Sequence, residues 1–575
     1  MPLIDLIQLA VYAVVLVALA KPVGTFLYRV FTGERTFLHP ALGWAERWMY
    51  KLVGVNPDVE MTWVAYAIAV LVFSGVCTVL LYGLLRLQGI LPLNPAGVPA
   101  MPSLLALNTA VSFVTNTNWQ AYSGETGVSY LTQMVGLTWQ NFVSPAVGMA
   151  VAVAFVRGLT RVGRKEIGNF WVDLTRACLY VLLPVSLVLG VVLVSQGVID
   201  NFSGPTKVRT VEGATQTIAM GPVASQESIK DLGTNGGGFF TANSAHPFEN
   251  PTPLSNYLEM FAILGFGAGF AYMLGKFAGD ARHGWGILAA MTILFVAGLA
   301  VVYGVEHAGN PNLTRAGANQ TQTAGSSGGN MEGKEVRFGI AQSSLFANAT
   351  TVSGCGAIDV AHDSLTPLAG GTVMLNMALG EVIFGGTGTG LYGMLMFAII
   401  AVFIAGLMVG RTPEYLGKKI GPTDMKLAML SVLVTGAGIL SVTGMAVVYS
   451  PAASAVLNAG PHGFPEILYA ATSAVGNNGS AFAGLTATGT FYTIGLTILM
   501  YAGRFLAMAP VLGIAGSMAQ KKIAPPSSGT FPTTGLLFVG LLVGVVLIVG
   551  ALTFFPAYAL GPILEQFVMH AGRLF

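Results

Sequence analysis

Four short polar motifs recur along the sequence at nearly equal intervals. They begin at positions 115, 234, 353 and 475, so the steps between them are 119, 119 and 122 residues. Glycine in such motifs permits backbone dihedrals that turn successive carbonyl oxygens the same way, while asparagine and threonine carry further oxygens. Four such segments around one axis would replace the hydration shell of a potassium ion. The candidate filter residues are Thr115, Asn116, Thr117, Asn118, Thr234, Asn235, Gly236, Gly237, Ser353, Gly354, Cys355, Gly356, Gly476, Asn477, Asn478 and Gly479.

The motifs contain no acidic residue, which argues against a divalent-cation site, because such sites normally use carboxylates. Small residues also allow transmembrane helices to pack closely, so any single motif is as well explained by packing or a plain turn. The equal spacing of four motifs favours a filter. Each motif also follows an apolar stretch that is too short to span a membrane and is typical of a re-entrant helix. These stretches are 103–114, 222–233, 341–352 and 464–474.

The composition indicates a membrane protein. Of the 575 residues, 54% are hydrophobic and 9% are charged, whereas a soluble domain carries about 25% charged residues. A helix needs ~20 apolar residues to cross the hydrocarbon core. The sequence therefore predicts an all-α polytopic membrane protein. Its ten predicted spans are 3–29, 61–85, 129–156, 171–198, 254–277, 285–305, 366–410, 425–449, 491–516 and 535–557.

The motifs and spans together predict ten transmembrane helices with four pseudo-symmetric helix–pore loop–helix repeats, like a potassium channel in one chain. Residues 1–60 hold the first transmembrane helix and an inner interfacial segment. Residues 521–575 hold the last transmembrane helix and an outer C-terminus. The channel-like repeats between them are 61–165, 166–284, 285–420, which contains a broken helix, and 421–520.

The basic residues predict the orientation, because inner loops are enriched in Lys and Arg. With the N-terminus outside, the inner segments hold 19 of the 27 Lys and Arg residues and the outer segments hold eight. Both termini are therefore expected outside. The formal net charge of +2 indicates no nucleic-acid partner. The three widely separated cysteines indicate neither a disulfide framework nor a zinc site.

Two ionisable residues stand out within predicted spans, Glu381 in the seventh and Arg504 in the ninth, since charge there is costly and usually functional. Glu381 lies 26 residues after Cys355, and Arg504 lies 27 residues after Asn477, so the repeat places both at similar depths. We hypothesise that they pair below the filter, where the positive charge would hinder ions from running straight into the cytoplasm. A purely structural ion pair between helices is the alternative.

The seventh span is too long for one crossing, and it is interrupted by Gly385, Gly386, Gly388 and Gly390. Breaks at membrane depth are tolerated where they line a cavity. We interpret this break as a loop that blocks or gates the inner exit, with a simple helix kink as the alternative.

Further polar residues lie beside the motifs. Gln120 follows the first motif and is assigned to the filter mouth, with surface solvation as an equal alternative. Asp231, Glu125 and Asp359 flank filter motifs, where they either attract cations or cap short helices. The histidines near the outer mouths are scattered, so no metal other than potassium at the filter is expected. They are His246, His362 and His462.

Several longer segments carry a resemblance to one known family. They are TNTNWQAYSGE at 115–125, DLGTNGGGFF at 231–240, NSAHPFENPTP at 243–253, LGEVIFGG at 379–386, GRTPEYLGKKI at 410–420 and NNGSAFAGL at 477–485. Over essentially its whole length the chain resembles the potassium-binding A subunits of the bacterial Kdp potassium-transporting P-type ATPases. As in that family, no motif carries the TVGYG sequence of simple potassium channels.

The resemblance implies a complex with a P-type ATPase B subunit, a C subunit and a small F subunit in the lipid of the bacterial inner membrane. It implies that this chain selects external potassium and passes it through an intramembrane tunnel to the B subunit. It also raises Arg411 as a contact with a partner subunit, although positive-inside anchoring explains that residue equally well. The alternative function is a stand-alone potassium transporter of the Trk/Ktr type, which shares the four-unit plan.

The sequence contains neither a GxxxxGKS/T phosphate loop nor a DKTG phosphorylation sequence. We therefore expect no catalytic site in this chain, and ATP would be used by the partner subunit. An intramembrane enzyme would need paired carboxylates or a histidine cluster within the spans, and the sequence shows neither pattern.

Overall fold

Long apolar helices make up most of the computed structural model, which describes residues 2–323, 325–408, 410, 412–524 and 531–573. Within these residues, ten helical segments are long and apolar enough to cross a membrane. The predicted number of spans is therefore confirmed, and the chain is a multi-pass membrane protein. The segments are Leu3–Thr32, Trp63–Leu87, Thr132–Thr160, Phe170–Gln196, Pro253–Phe277, Ala281–Arg315, Thr389–Met408, Pro422–Val448, Thr490–Gln520 and Leu536–His570.

The secondary structure is almost entirely helical, with short hairpins and pairings in the loops. The α-helices are α1 (Leu3–Thr32), α2 (His39–Val53), α3 (Trp63–Leu87), α4 (Ser103–Val114), α5 (Gly124–Gly127), α6 (Trp139–Thr160), α7 (Phe170–Arg176), α8 (Leu183–Gln196), α9 (Val223–Leu232), α10 (Pro253–Phe277), α11 (Ala281–Ala308), α12 (Pro311–Arg315), α13 (Gly339–Val352), α14 (Pro367–Ala378), α15 (Thr389–Met408), α16 (Pro422–Val448), α17 (Ser450–Ala453), α18 (Gly460–Gly476), α19 (Thr490–Gln520), α20 (Leu536–Tyr558) and α21 (Leu564–His570). The antiparallel strand pairs are β1 (Met61–Thr62) with β2 (Glu166–Gly168), β3 (Thr206–Arg209) with β4 (Thr215–Ile218), and β5 (Glu414–Tyr415) with β6 (Lys418–Lys419).

Two spans form the centre of the molecule. In the most apolar stretches of the spans that contain α6 and α10, 94% and 89% of the residues are buried, against 22% for α1. Both helices are rich in glycine, alanine and serine, and small residues let helix backbones approach closely. Helix α1 packs along α10, and α19 packs against both α6 and α16. The outer helices therefore enclose α6 and α10 and present their own apolar faces to lipid.

Four short helices end at the four polar motifs. Helices α4, α9, α13 and α18 end at Val114, Leu232, Val352 and Gly476. Each overlaps a predicted re-entrant stretch, and α18 extends beyond its prediction at both ends. The polar motifs that follow these helices cannot face hydrocarbon, because unpaired backbone groups are too costly there. The surrounding spans bury the motifs instead.

The seventh predicted span is divided, as expected. Helix α14 ends at Ala378 and α15 begins at Thr389, and the backbone between them is not helical. Glu381 and Phe384 adopt φ values of 52° and 62° in this break, a left-handed region that non-glycine residues rarely occupy. A simple kink would not require ten residues outside the helix, so the break is a loop.

The C-terminal ends of α6 and α19 are joined by a buried lysine. Lys418 Nζ donates hydrogen bonds to Gly158 O at 3.1 Å and to Met518 O at 2.9 Å. A cation at helix C-termini satisfies carbonyls that have no partner within the helix. Burial, together with the nearby Lys521, lowers the pKa of Lys418 to about 8. This residue therefore fixes two helices that pack behind the motifs.

An ion triad joins the fourth short helix to the end of the chain. His462 on α18 contacts Glu565 Oε1 through Nδ1 at 2.7 Å and Asp363 Oδ1 through Nε2 at 3.0 Å. Burial alone would lower the pKa of His462, but the hydrogen bonds to both carboxylates outweigh it and raise that pKa to about 10. The imidazole is therefore charged at neutral pH, with both nitrogens acting as donors.

We expect the His462→Asn variant to lose about 3 kcal/mol of unfolding free energy at pH 6, the low end for a buried ion pair that loses one partner. The folded-state pKa lies above the ordinary value of about 6.5. The contribution is therefore complete below pH 6.5 and is lost as the pH rises through about 10. Thermal unfolding of both proteins between pH 6 and pH 10 would measure this change. The control His570→Asn alters an exposed histidine on α21 and should show no such pH dependence; an equal loss at every pH would contradict the triad.

Candidate functional site

The four motifs meet at one place in the structure. A Cβ atom built on Gly236 would lie 2.7 Å from Thr117 O, 2.8 Å from Asn478 O and 3.0 Å from Gly356 Cα. These atoms belong to the other three motifs, so the second motif contacts all of them at once. Gly237 approaches the first motif similarly, since its Cβ would lie 2.9 Å from Asn118 O. Only glycine fits at position 236, because backbone surrounds it on three sides.

The backbone at the motifs adopts left-handed conformations that helices and strands exclude. Asn116, Asn118, Thr234 and Asn477 have φ values of 69°, 55°, 51° and 62°. Such residues cost free energy and persist only where the surrounding structure holds them in place. Alternation of helical and left-handed residues turns successive carbonyls out of the usual backbone pairing. The segments therefore carry main-chain oxygens that can serve an ion.

Amide side chains hold neighbouring segments together. Asn116 Nδ2 donates to Thr234 O at 3.0 Å, and Asn235 Nδ2 donates back to Asn116 Oδ1 at 2.7 Å. Asn477 Nδ2 donates to Thr117 Oγ1 at 3.0 Å, and Asn478 Nδ2 donates to Ser353 O at 3.0 Å.

Cysteine and threonine complete this bracing. Cys355 Sγ lies 2.9 Å from Asn235 O, which links the third segment to the second. Thr115 Oγ1 and Thr117 Oγ1 are 2.8 Å apart within the first segment. The polar side chains of the motifs thus mainly fix the geometry of the four segments.

Gln120 supports the second segment from the mouth. Its Nε2 donates to Gly238 O at 3.1 Å, and its Oε1 accepts from Gly238 N at 3.2 Å. Glu125 accepts hydrogen bonds from Thr241 N and Oγ1 at 2.9 and 2.8 Å. Both residues therefore tie the chain after the first motif to the chain after the second.

Two further supporting residues were not predicted. Ser144 Oγ on α6 donates to Asn116 Oδ1 at 2.8 Å, and Asn141 Oδ1 accepts from Asn118 Nδ2 at 2.8 Å. The available signal was the polar run Gln140–Asn141 and Ser144 inside an apolar span, where polar side chains usually bond across helices.

A cavity of about 100 Å³ lies directly beneath the meeting point. Asn116, Gly354, Gly476 and Asn477 line its upper end, so it opens on three of the four segments. This volume exceeds that of one water molecule, about 30 Å³. The cavity also contacts small and polar residues on the neighbouring helices α16 and α20, which are Ser431, Thr435, Gly436, Gly550 and Thr553.

Glu381 and Arg504 both line this cavity, but the expected ion pair between them is wrong. No salt bridge joins these two described side chains. The Glu381 carboxylate lies beneath the third and fourth segments, since a Cβ on Gly354 would be 2.9 Å from its Oε2. Arg504 instead donates through Nη2 to Ser144 O on α6 at 2.7 Å. The repeat spacing fixed the depth of both residues and left their direction around the axis open.

The loop between α14 and α15 lies beneath the second and third segments. Gly385 N donates to Val352 O at 3.1 Å, and Thr387 N donates to Thr234 Oγ1 at 2.9 Å. Gly386 lines the cavity, Gly388 approaches α6, and Gly390, in the first turn of α15, packs against Phe384 of the loop. The loop is therefore attached to the end of α13, just before the third segment, and to Thr234 of the second segment.

The remaining candidates do not form a common site. His246 stacks on Phe240 with ring centroids 3.7 Å apart, and His362 Nδ1 contacts Tyr469 Oη at 2.6 Å. His462 lies near Asp363 and Glu466 at metal-ligand separations. Both of its nitrogens already engage carboxylates, so no lone pair is left for a metal. Arg411 lies outside the described residues.

The chain is similar to several known proteins. Relatives described as the potassium-transporting ATPase potassium-binding subunit include one from Solibacter usitatus, 57% identical over 569 residues that cover 99% of both chains. Those from Methylorubrum extorquens (58% identical, 99% and 98% covered) and Bradyrhizobium diazoefficiens (54%, 100% and 100%) carry the same description.

A solved structure shares the fold. The potassium transporter TrkH from Vibrio parahaemolyticus matches with a TM-score of 0.51 and 14% identity, over 87% of this chain and 96% of that one. A family model described as potassium-transporting ATPase A subunit matches residues 10–567. The chain therefore belongs to the potassium-transporting ATPase A subunit family.

Proposed function

We propose that this chain is the potassium-selective binding and translocation subunit of an ATP-driven potassium uptake complex. The observation that carries the proposal is the convergence of four polar segments at Gly236, with carbonyls of the first and fourth segments within 3 Å of its Cβ position. Carbonyl rings of this kind replace the hydration shell of potassium. The sixteen candidate residues carry no carboxylate, so they favour a weakly hydrated monovalent ion over a divalent one.

The ion then enters the cavity beneath the filter. The Glu381 carboxylate attracts a cation there, while the Arg504 guanidinium opposes its further movement toward the inner side. The loop at 379–388 stands in the straight path from the filter. The small residues on α16 and α20 offer a sideways route, because only 33% of the most apolar stretch of each of these spans is buried. We infer that potassium leaves laterally, through a tunnel toward a neighbouring subunit.

The energy source lies in the partners. With no phosphate loop or phosphorylation sequence in this chain, ATP is used by a P-type ATPase B subunit, and the complex also contains C and small F subunits. The complex resides in the bacterial inner membrane, with both termini of this chain outside. Arg411 contacts a partner on the inner side. A stand-alone Trk/Ktr-type transporter is not favoured, since the likeness to TrkH is one of fold at 14% identity.

The partnership is tested by purifying the tagged chain from native membranes. We expect an ATPase subunit to co-purify with it, and potassium to stimulate ATP hydrolysis by the isolated complex. Recovery of the chain alone, with potassium uptake that continues without ATP, would support the stand-alone transporter instead.

The filter is tested with Gly236→Ala. The added methyl group would displace carbonyls of the first and fourth segments, and we expect at least tenfold weaker potassium affinity, which corresponds to ~1.4 kcal/mol of lost binding. The measurement is potassium-stimulated ATPase activity of the purified complex as a function of potassium concentration. The control is Gly265→Ala on α10, where a Cβ meets nothing within 4 Å. Equal affinity in both variants would contradict the filter.

The barrier is tested with Arg504→Gln. Removing the charge while keeping a hydrogen-bond donor for Ser144 O should let potassium leak toward the inner side, because the electrostatic barrier is lost. Passive potassium flux into proteoliposomes without ATP would measure the leak. Arg504→Lys keeps the charge and should remain tight. The barrier role fails if the Gln variant neither leaks nor changes ATP-driven transport.

A further inference from the structure

A second group of oxygen ligands lies behind the second filter segment and apart from the proposed ion path. Glu227 and Asp231 lie on α9, and Glu259 lies on α10. One carboxylate oxygen from each of the three residues lies within 4.8 Å of the other two. All three side chains belong to residues that are at most 1% exposed. The group is therefore enclosed by protein on every side.

Positively charged side chains balance only part of the negative charge of these carboxylates. Lys230 Nζ contacts Glu227 Oε1 at 2.6 Å and Glu249 Oε2 at 3.4 Å. Its ammonium group also donates to Asn243 Oδ1 at 2.8 Å. No other cationic side chain among the described residues forms an ion pair with these carboxylates. One ammonium group thus faces the carboxylates of Glu227, Asp231, Glu249 and Glu259.

In the part of the chain that the structure describes, Asp231 and Glu259 lack partners that would compensate their burial. None of their four carboxylate oxygens has a hydrogen-bond partner among the described residues, and both residues are 0% exposed. An isolated buried carboxylate costs several kcal/mol, so it persists only with a compensating cation or in its protonated form. Glu259 comes from a different helix, yet it directs its carboxylate to the oxygens of the other two residues.

We propose that Glu227, Asp231 and Glu259 bind a calcium ion. Calcium takes carboxylate oxygens at 2.3–2.6 Å, so oxygens around one ion lie at most about 5 Å apart, and the observed separations satisfy this limit. Magnesium demands near-octahedral geometry and usually keeps several of its waters, so a fully enclosed group of three carboxylates suits it less well. The chemistry is opposite to that of the carboxylate-free filter, so this ion is a fixed component and is not transported.

The position of the ion gives it a structural role. Asp231 lies three residues before Thr234, where the second filter segment begins. Glu249, which Lys230 also contacts, lies against the chain that follows this segment, since a Cβ on Gly238 would be 2.8 Å from its Oε2. Calcium between α9 and α10 would therefore fix the helix that carries the second segment.

The test uses the purified complex, washed with EGTA and kept at constant potassium without ATP. We expect binding of radioactive calcium with about one ion per chain, and a rise in the thermal unfolding midpoint of this subunit as calcium is added. The Asp231→Asn/Glu259→Gln double variant should lose both effects. The Glu212→Gln control removes an exposed carboxylate from the β3–β4 hairpin and should keep both.

Two results would overturn the proposal. Wild-type complex that binds no more calcium than the double variant, with an unfolding midpoint that ignores calcium, would show that the carboxyl groups hold protons instead. A midpoint that responds to magnesium and not to calcium would assign a different ion. If the double variant does not assemble, the single Glu259→Gln variant replaces it, since it keeps two of the three carboxylates. This variant should bind calcium at least about tenfold more weakly than the wild type. Unchanged calcium binding would refute the site. Potassium-stimulated ATPase activity separates this outcome from failure of the filter.

Discussion

The structure depends on the cost of stripping water from a cation inside a membrane. A potassium ion can enter only if protein oxygens replace its hydration shell, and the backbone that supplies them cannot be paired in helices or strands. Such backbone cannot face lipid. It must therefore be enclosed, which explains why the four segments lie within ten spans and why the central helices α6 and α10 are the most buried.

Keeping carbonyls unpaired imposes a second requirement, namely that other groups hold the segments in place. The side chains of Asn116, Asn235 and Asn478 bond to neighbouring segments, and Ser144 on α6 supports the first of them from behind. Left-handed residues such as Asn477 are tolerated because these bonds over-determine the backbone. The side chains thus give rigidity to the segments, and under the proposed function the main-chain carbonyls would provide the selectivity.

Features that depend on local pattern were predictable from the sequence. The stretch 103–114 coincides with α4, since apolar length and a following polar motif define a re-entrant helix. The break in the seventh span was also predictable, because the glycines at 385–390 interrupt an apolar stretch that is too long for one crossing. Direction around the axis was not predictable, because spacing along a repeat reports depth alone: Arg504 turned to Ser144 O, and Glu381 turned beneath the third and fourth segments. Lys418 was also missed as a helix cap, since only folding brings Gly158 and Met518 together.

In the proposed function, the four repeats are alike where the ion would be selected and different where it would leave. Four polar segments meet at one place, but a single repeat supplies the loop at 379–388 and another supplies Arg504. A symmetric exit would let a selected ion run down its gradient, whereas a pump must release it only through its partner. The loop at 379–388 occupies one side below the segments, and Arg504 lies on another. The remaining side lies between α15, α16 and α20, where the cavity reaches Gly436 and Gly550. In the proposed function, the loss of fourfold symmetry below the filter therefore allows a channel-like entrance to serve as the ion-uptake part of a pump.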